Sequence, residues 1–194
     1  MAHQDDRYHA VMATPLGRLG VVIRDDGLED VSFLSPRARL KSPGTPLERR
    51  ICRQLRAYFS NPRVLFDIPL ATGGTPFQQR VWRMLRRIPP GATWSYGELA
   101  RRLRTSPRAV GNACRANPIP IVIPCHRVVM SGYGDVQGST SVGRSQRPAS
   151  RDISTSLYST GSRKLRATIG GFMGAREGKA VRLKHWLLGH ERAR

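Results

Sequence analysis

A thiol, an imidazole and a guanidinium occupy consecutive positions at Cys125, His126 and Arg127, directly behind Pro124. The thiolate is the reactive form of cysteine, and a neighbouring base or cation lowers the cost of making it. A free cysteine is more often an inert core residue. Cys125 differs in standing in a proline-flanked segment rather than on an amphipathic face, with His126 and Arg127 immediately after it. Neighbouring side chains of an extended segment point to opposite sides. His126 therefore needs a bridging water or a bend in the backbone to take the thiol proton. A carboxylate holding the imidazole would complete a relay, and Glu191 is the candidate. The other two cysteines carry less: Cys114 reads as core packing and Cys52 as structural. Three cysteines are too few for a disulfide framework. With no CxxC pair and no metal-ligand spacing among the five histidines, neither a metal nor a cofactor is expected.

The elements that must carry these groups can be read from periodicity and breakers. Between Tyr8 and Leu34 short apolar runs alternate with Pro15-Leu16-Gly17 and Asp25-Asp26-Gly27, which predicts strands joined by tight turns, with Asp26-Gly27 as a hairpin signal. Leu47, Ile51, Leu55 and Tyr58 predict a helix over 46–59. Leu65 to Leu70 reads as a returning strand, and Ala71 to Gly74 as a linker. Thr75 and Pro76 then start a helix whose stripe is Phe77, Val81, Met84, Leu85 and Ile88. Two short helices follow around Arg104-Thr105-Ser106, the spacing of a helix-turn-helix. The second of them carries Arg108, Asn112 and Arg115 off its apolar face, side chains suited to phosphate and base contacts. The prolines at 118, 120 and 124 exclude a helix there and predict an extended, buried segment delivering Cys125 to the interior. From Ser139 to Ser162 the chain turns rich in serine and threonine, interspersed with Arg144, Arg147 and Arg151, and reads as a flexible basic loop. A closing helix places Leu183, Trp186, Leu187 and His190 on one side.

With 33 Lys and Arg against 13 Asp and Glu, the 194 residues carry a net charge of +20. That balance favours a polyanionic partner, nucleic acid before an anionic membrane surface. No stretch approaches the roughly 18 apolar residues of a membrane span. Met1 to Arg7 lacks the apolar core of a signal peptide, so a cytoplasmic, nucleoid-associated protein is expected. The hydrophobic share of 39% is enough for a folded core.

Together these residues resemble a known family, the O6-alkylguanine-DNA alkyltransferases (methylated-DNA–protein-cysteine methyltransferases). The matching segments are Thr75-Pro76-Phe77-Gln78, Ser95-Tyr96-Gly97-Glu98-Leu99-Ala100, Arg108-Ala109-Val110-Gly111, Asn117-Pro118 and Ile123-Pro124-Cys125-His126-Arg127-Val128-Val129. Looser matches are Thr14-Pro15-Leu16-Gly17, Tyr58-Phe59 and Trp186-Leu187-Leu188-Gly189-His190-Glu191. The resemblance implies an α+β fold. A small N-terminal antiparallel sheet with a helix, ribonuclease H-like, would occupy 1–72. A mainly helical, winged-helix-like domain with the helix-turn-helix would occupy 73–194, with an insertion at about 131–168.

The resemblance further implies single-turnover repair of double-stranded DNA carrying O6-alkylguanine, without a membrane or an obligate protein partner. Cys125 would accept the alkyl group. His126 would take the thiol proton through a water, with Glu191 polarising it, and Asn117 would hold the active-site turn. Tyr96 would protonate the leaving guanine and press on the 3′ phosphate. Arg108 would fill the gap left by the flipped nucleotide, while Asn112, Arg115 and Arg127 join the DNA contacts. Val128, Phe172 and Pro120 would line the base pocket. The alternative is a non-catalytic damage-binding protein of the same fold, but such sensors usually replace the cysteine. A helix-turn-helix regulator without chemistry leaves Pro124-Cys125-His126-Arg127 unexplained. A Cys–His hydrolase lacks a glycine-flanked nucleophile or oxyanion-hole signal.

Overall fold

The computed structural model describes residues 7–133, 169–175 and 177–193. Three antiparallel strands open it: β1 (Ala10–Thr14), β2 (Gly17–Arg24) and β3 (Gly27–Leu34), side by side in that order. Arg24 pairs with Gly27, so the second hairpin turns on Asp25 and Asp26, both at positive φ. The centre thus lies one residue before the expected Asp26-Gly27 pair. Aspartate tolerates the left-handed region, and Gly27 meets a different demand. A Cβ at Gly27 would stand 2.8 Å from the backbone nitrogen of Ala71.

That close approach is also where the expected strand at Leu65–Leu70 fails. The segment makes one isolated parallel bridge, Leu28 with Leu70, and Leu65 is 85% exposed. Leu28 donates to Pro69 O and accepts from Ala71 N. Pro69 has no N–H with which to extend the ladder.

Helix α1 (Pro46–Ser60) begins in a capping box in which Thr45 and Glu48 satisfy each other's free N–H groups. Its stripe of Ile51, Cys52, Leu55 and Tyr58 is buried. Helix α2 (Pro76–Leu85) uses the same device with Thr75 and Gln78. A two-residue strand, β4 (Trp94–Ser95), leads into α3 (Tyr96–Leu103), capped by Ser95. Arg104 takes left-handed backbone, and Ser106 then caps α4 (Pro107–Arg115). The two helices pack across that three-residue turn, with Val110, Ala113 and Cys114 inward. Trp82 donates its indole N–H to Ala113 O at 2.9 Å and so fixes α4 on α2. A second short strand, β5 (Val128–Val129), runs parallel to β4, and α5 (Lys179–Arg192) closes the chain.

The segment before Cys125 corrects the expectation of extended chain. Residues 118–123 form a tight turn in which Ile123 N donates to Ile119 O, with Ile121 at φ 78. Cys125–Arg127 is a single 3-10 turn. The prolines do exclude an α-helix, but the apolar side chains here need burial in a space too short for a strand. Winding the chain buries Ile119, Ile121 and Ile123 together.

One cluster of buried side chains runs from Ala10 and Leu28 through Ile51 and Val81 to Val110, Val128 and Leu187. The core is therefore shared between the sheet with α1 and the later helices. The Ser139–Ser162 segment and its arginines lie outside the described residues. Among those described, no helix is long and apolar enough to cross a membrane.

Candidate active site

Three elements meet at Cys125: the 118–123 turn, α4 and α5. Val31 N, on β3, donates to Pro118 O at 2.9 Å and anchors the turn to the sheet. Asn117 then bridges the turn from both ends. Its Oδ1 accepts from Ile119 N at 3.0 Å, and its Nδ2 donates to Ile123 O at 2.8 Å and lies 3.2 Å from Cys125 Sγ. Burial pushes the Cys125 thiol above its ordinary pKa, and the Asn117 amide and the charge of Lys184 pull it part of the way back. At neutral pH the resting group is a thiol, so a base must act before it can attack.

The base is held from behind. His126 Nε2 lies 2.8 Å from Glu191 Oε1, and both side chains are fully buried. Glu191 also receives Tyr58 OH and Arg127 Nη2 on Oε1, and Arg127 Nε and Gly91 N on Oε2. Burial alone would raise the pKa of this carboxyl. The donors from His126 and Arg127 outweigh it and hold the group far below the usual carboxylate range. A carboxylate without a proton can only accept, so the proton between it and His126 belongs to Nε2. Nδ1 is then left with a lone pair, and it has no hydrogen-bond partner among the described residues. Burial lowers the pKa of His126, which keeps the ring neutral and able to take a proton.

Cys125 opens onto a cavity of about 630 Å³. One wall is α4, through Arg108, Gly111, Asn112, Cys114 and Arg115; Tyr96 and Phe172 stand among the other lining residues. Met130 and Met173, also in the lining, are half exposed, and Met173 takes left-handed backbone. Tyr96 OH donates to Gly171 O at 3.3 Å. Burial raises the Tyr96 hydroxyl well above its ordinary pKa, with the two cysteines adding to the effect. At neutral pH it is a proton donor rather than a phenolate.

The structure brings together Cys125, His126, Glu191 and Asn117, and it puts Tyr96, Arg108, Asn112, Arg115 and Phe172 around the cavity. It separates three residues from the roles expected for them. Arg127 is 7% exposed and ion-paired to Glu191. It is a buried counter-charge and does not reach the surface where DNA contacts would be made. Val128 is wholly buried in β5, and Pro120 is buried in the turn; neither lines the cavity. Cys114 is corrected in the other direction, since the expected packing residue also faces the cavity.

Two contributors were not expected from the sequence. Tyr58 reaches Glu191 from α1. Lys184 is wholly buried on α5 and donates to Val128 O at 2.6 Å, Ile169 O at 3.1 Å and Gly171 O at 3.2 Å. Burial pulls its pKa down to about 8, against the cysteines, which hold it up. One signal was available: Lys184, Leu187, Leu188 and Glu191 share a face by helical spacing, and a lysine inside an apolar face needs partners. Lys184→Met should unfasten the 169–172 strand of backbone from β5. The expected result is faster amide exchange in the 169–175 peptide and a loss of about 2–3 kcal/mol of stability. Unchanged exchange there would remove the tether.

Residues 76–149 match the family described as 6-O-methylguanine DNA methyltransferase, DNA binding domain. The methylated-DNA–protein-cysteine methyltransferase of Methanosarcina acetivorans is 39% identical over 138 residues, covering 65% of this chain and 88% of that protein. The constitutive methylated-DNA–protein-cysteine methyltransferase of Bacillus subtilis is 37% identical over 141 residues, covering 65% and 86%. Among solved structures, O6-methylguanine methyltransferase of Mycobacterium tuberculosis superposes with a TM-score of 0.65 at 28% identity, over 94% of this chain and 90% of that one. OGT of Mycobacterium tuberculosis in complex with DNA superposes with a TM-score of 0.63 at 29% identity, over 94% and 91%. A buried thiol with its own base, opening beside an arginine-bearing helix, agrees with these similarities: the chain belongs to the methylated-DNA–protein-cysteine methyltransferase family.

Proposed function

We propose that this protein repairs O6-alkylguanine in double-stranded DNA by moving the alkyl group irreversibly to Cys125. The observation that carries the reading is the cavity shared by the Cys125 thiol and the exposed face of α4. A nucleobase can reach that thiol only after leaving the duplex stack, at a cost of a few kcal/mol. Arg108, exposed on α4, has the planar cation to occupy the gap, and Asn112 and Arg115 lie along the same face toward phosphates and base edges.

The reaction balances without a cofactor. His126 Nδ1 takes the thiol proton through a bridging water, and the sulfur attacks the alkyl carbon. An S–C bond forms as the bond from that carbon to O6 breaks. The leaving guanine takes a proton from Tyr96, which the proton lost from the thiol balances. Among the described residues no side chain is placed to cleave the thioether product, so each molecule acts once. Phe172 packs beside the base, and Asn117 keeps the sulfur at the cavity. In this reading 1–72 is a ribonuclease H-like unit, 73–194 a winged-helix-like DNA-binding unit, and the protein works at the nucleoid.

The test is incubation with a duplex bearing O6-methylguanine, followed by peptide mass spectrometry. The expected result is a stoichiometric gain of one methyl group on the Cys125 peptide. Arg108→Ala should slow transfer from duplex far more than transfer from the free base. Tight binding without methyl gain would reduce the protein to a damage sensor.

A further inference from the structure

We propose that Tyr58 is a positioning residue for the Cys125–His126–Glu191 relay, acting from the N-terminal part of the chain through a single hydrogen bond. This rests on the reading of Cys125 as the alkyl acceptor. Tyr58 lies on α1, 133 residues from Glu191 in sequence, yet its hydroxyl is 2.9 Å from Glu191 Oε1, the oxygen that also holds His126 Nε2. The tyrosine ring is wholly buried. It is edge-on to Phe59 and His190, and His190 Nε2 lies 2.9 Å from the Tyr58 carbonyl oxygen, so the ring is held from both sides. That packing holds the hydroxyl at the carboxylate.

The consequence is chemical rather than structural. Glu191 Oε1 divides its charge among Tyr58, Arg127 and His126. Among the described residues, the charged groups acting on the imidazole are Glu191 and Lys184 from α5 and Arg127 from the 3-10 turn, while the Tyr58 hydroxyl from α1 shares Glu191 Oε1 with it. Of these only Glu191 raises the imidazole pKa. Removing the Tyr58 donor concentrates the negative charge of that oxygen on His126 Nε2–H. The imidazolium becomes easier to form, and the ring stays protonated, unable to act as base, to a higher pH. Tyr58 thus keeps His126 neutral in the range where Cys125 must be deprotonated. It touches neither sulfur nor substrate.

Tyr58→Phe keeps the packed ring and leaves no donor without an acceptor, so the variant should fold. Two rates are compared with wild type across pH: carbamidomethylation of Cys125 by iodoacetamide, which needs no DNA, and methyl uptake from the lesion-bearing duplex. The acid limb of both should move up by roughly one unit, with rates on that limb about tenfold lower and the high-pH plateau kept. A profile scaled down equally at all pH, left unchanged or moved to lower pH would overturn the proposal. Nitrogen NMR of the His126 ring in the unmutated protein is the second measurement. It should find the proton on Nε2, and a proton on Nδ1 in the neutral ring would also overturn it. If wild type takes no methyl group but the iodoacetamide limb moves, alkyl transfer fails and the positioning role stands. If methyl is taken and neither limb moves, the positioning role fails alone.

Discussion

Cys125→Ala should take up no methyl group from a lesion-bearing duplex, a fall of at least about 10³-fold, while its affinity for that duplex is largely kept. The substitution removes one small buried side chain, and Arg108, Asn112 and Arg115 on α4 are untouched. The informative control is already in the molecule, because Cys114 lines the same cavity. Cys114 is not equivalent chemically. Burial drives its thiol well above the ordinary value, the charge of Cys125 raises it further, and only Lys184 opposes. It gains nothing from Asn117, whose amide points at Cys125 Sγ. Sharing the cavity is therefore not enough; the acceptor needs the donor that stabilises its anion and the imidazole that takes its proton. Peptide mass spectrometry decides the matter. A methyl group on the Cys114 peptide of the variant would show that the cavity, and not the relay, selects the sulfur.

Glu191→Gln carries the second large effect, on stability and on transfer together. The carboxylate accepts from Tyr58, His126, Arg127 and Gly91, and its charge is the counter-ion of the buried Arg127. The amide keeps the shape but brings an NH2 group to a site supplied entirely with donors, and it leaves Arg127 without compensation. Breaking one side of a buried pair costs about 3–5 kcal/mol, or roughly 10 °C in Tm for a chain of this size. The pH dependence follows from the direction of the shift. The folded Glu191 pKa is depressed, so its stabilising contribution is complete above the unfolded carboxylate value near ~4.3. It is lost as pH falls through the carboxylate range toward the folded value. The gap in Tm between wild type and Glu191→Gln should be widest near neutrality and should narrow on acidification. A gap that stays constant with pH, or is absent, would rule out the charged hub. Methyl uptake should also slow by about 10²-fold, because the proton on His126 is no longer confined to Nε2.

Tyr58→Phe and Glu191→Gln act on the same oxygen and are separable by where they bite. The tyrosine change should alter a pH limb with little effect on folding, whereas the glutamine change should weaken the fold itself. Lys184→Met stands apart from both, since its partners are three backbone carbonyls rather than the carboxylate.

Much of this molecule was legible as local pattern. The helices expected from Pro46, from Thr75-Pro76 and after Arg104-Thr105-Ser106 start as α1, α2 and α4 at the expected places. The stripe Ile51, Leu55, Tyr58 is inward, and Arg108, Asn112 and Arg115 are outward. Where local pattern misled, a longer-range demand had overridden it. The run at Leu65–Leu70 has strand-like composition, but its proline and its single isolated bridge, to Leu28, leave it irregular. The segment before Cys125 looks extended by its prolines, yet Asn117 and Val31 hold it wound.

The sequence by itself determined where the Cys125 thiol, the His126 imidazole and the arginine-bearing helix α4 stand in the chain, because each is written in neighbours or in a helical period. Only the tertiary structure decided that Arg127 faces inward, that Lys184 ties down the cavity backbone and that Tyr58 completes the carboxylate hub. Those contacts join residues 64, 56 and 133 positions apart. A hydrogen bond across such a span leaves no periodicity in the chain. It exists because a carboxylate and two cations, once buried, must find partners wherever the core supplies them.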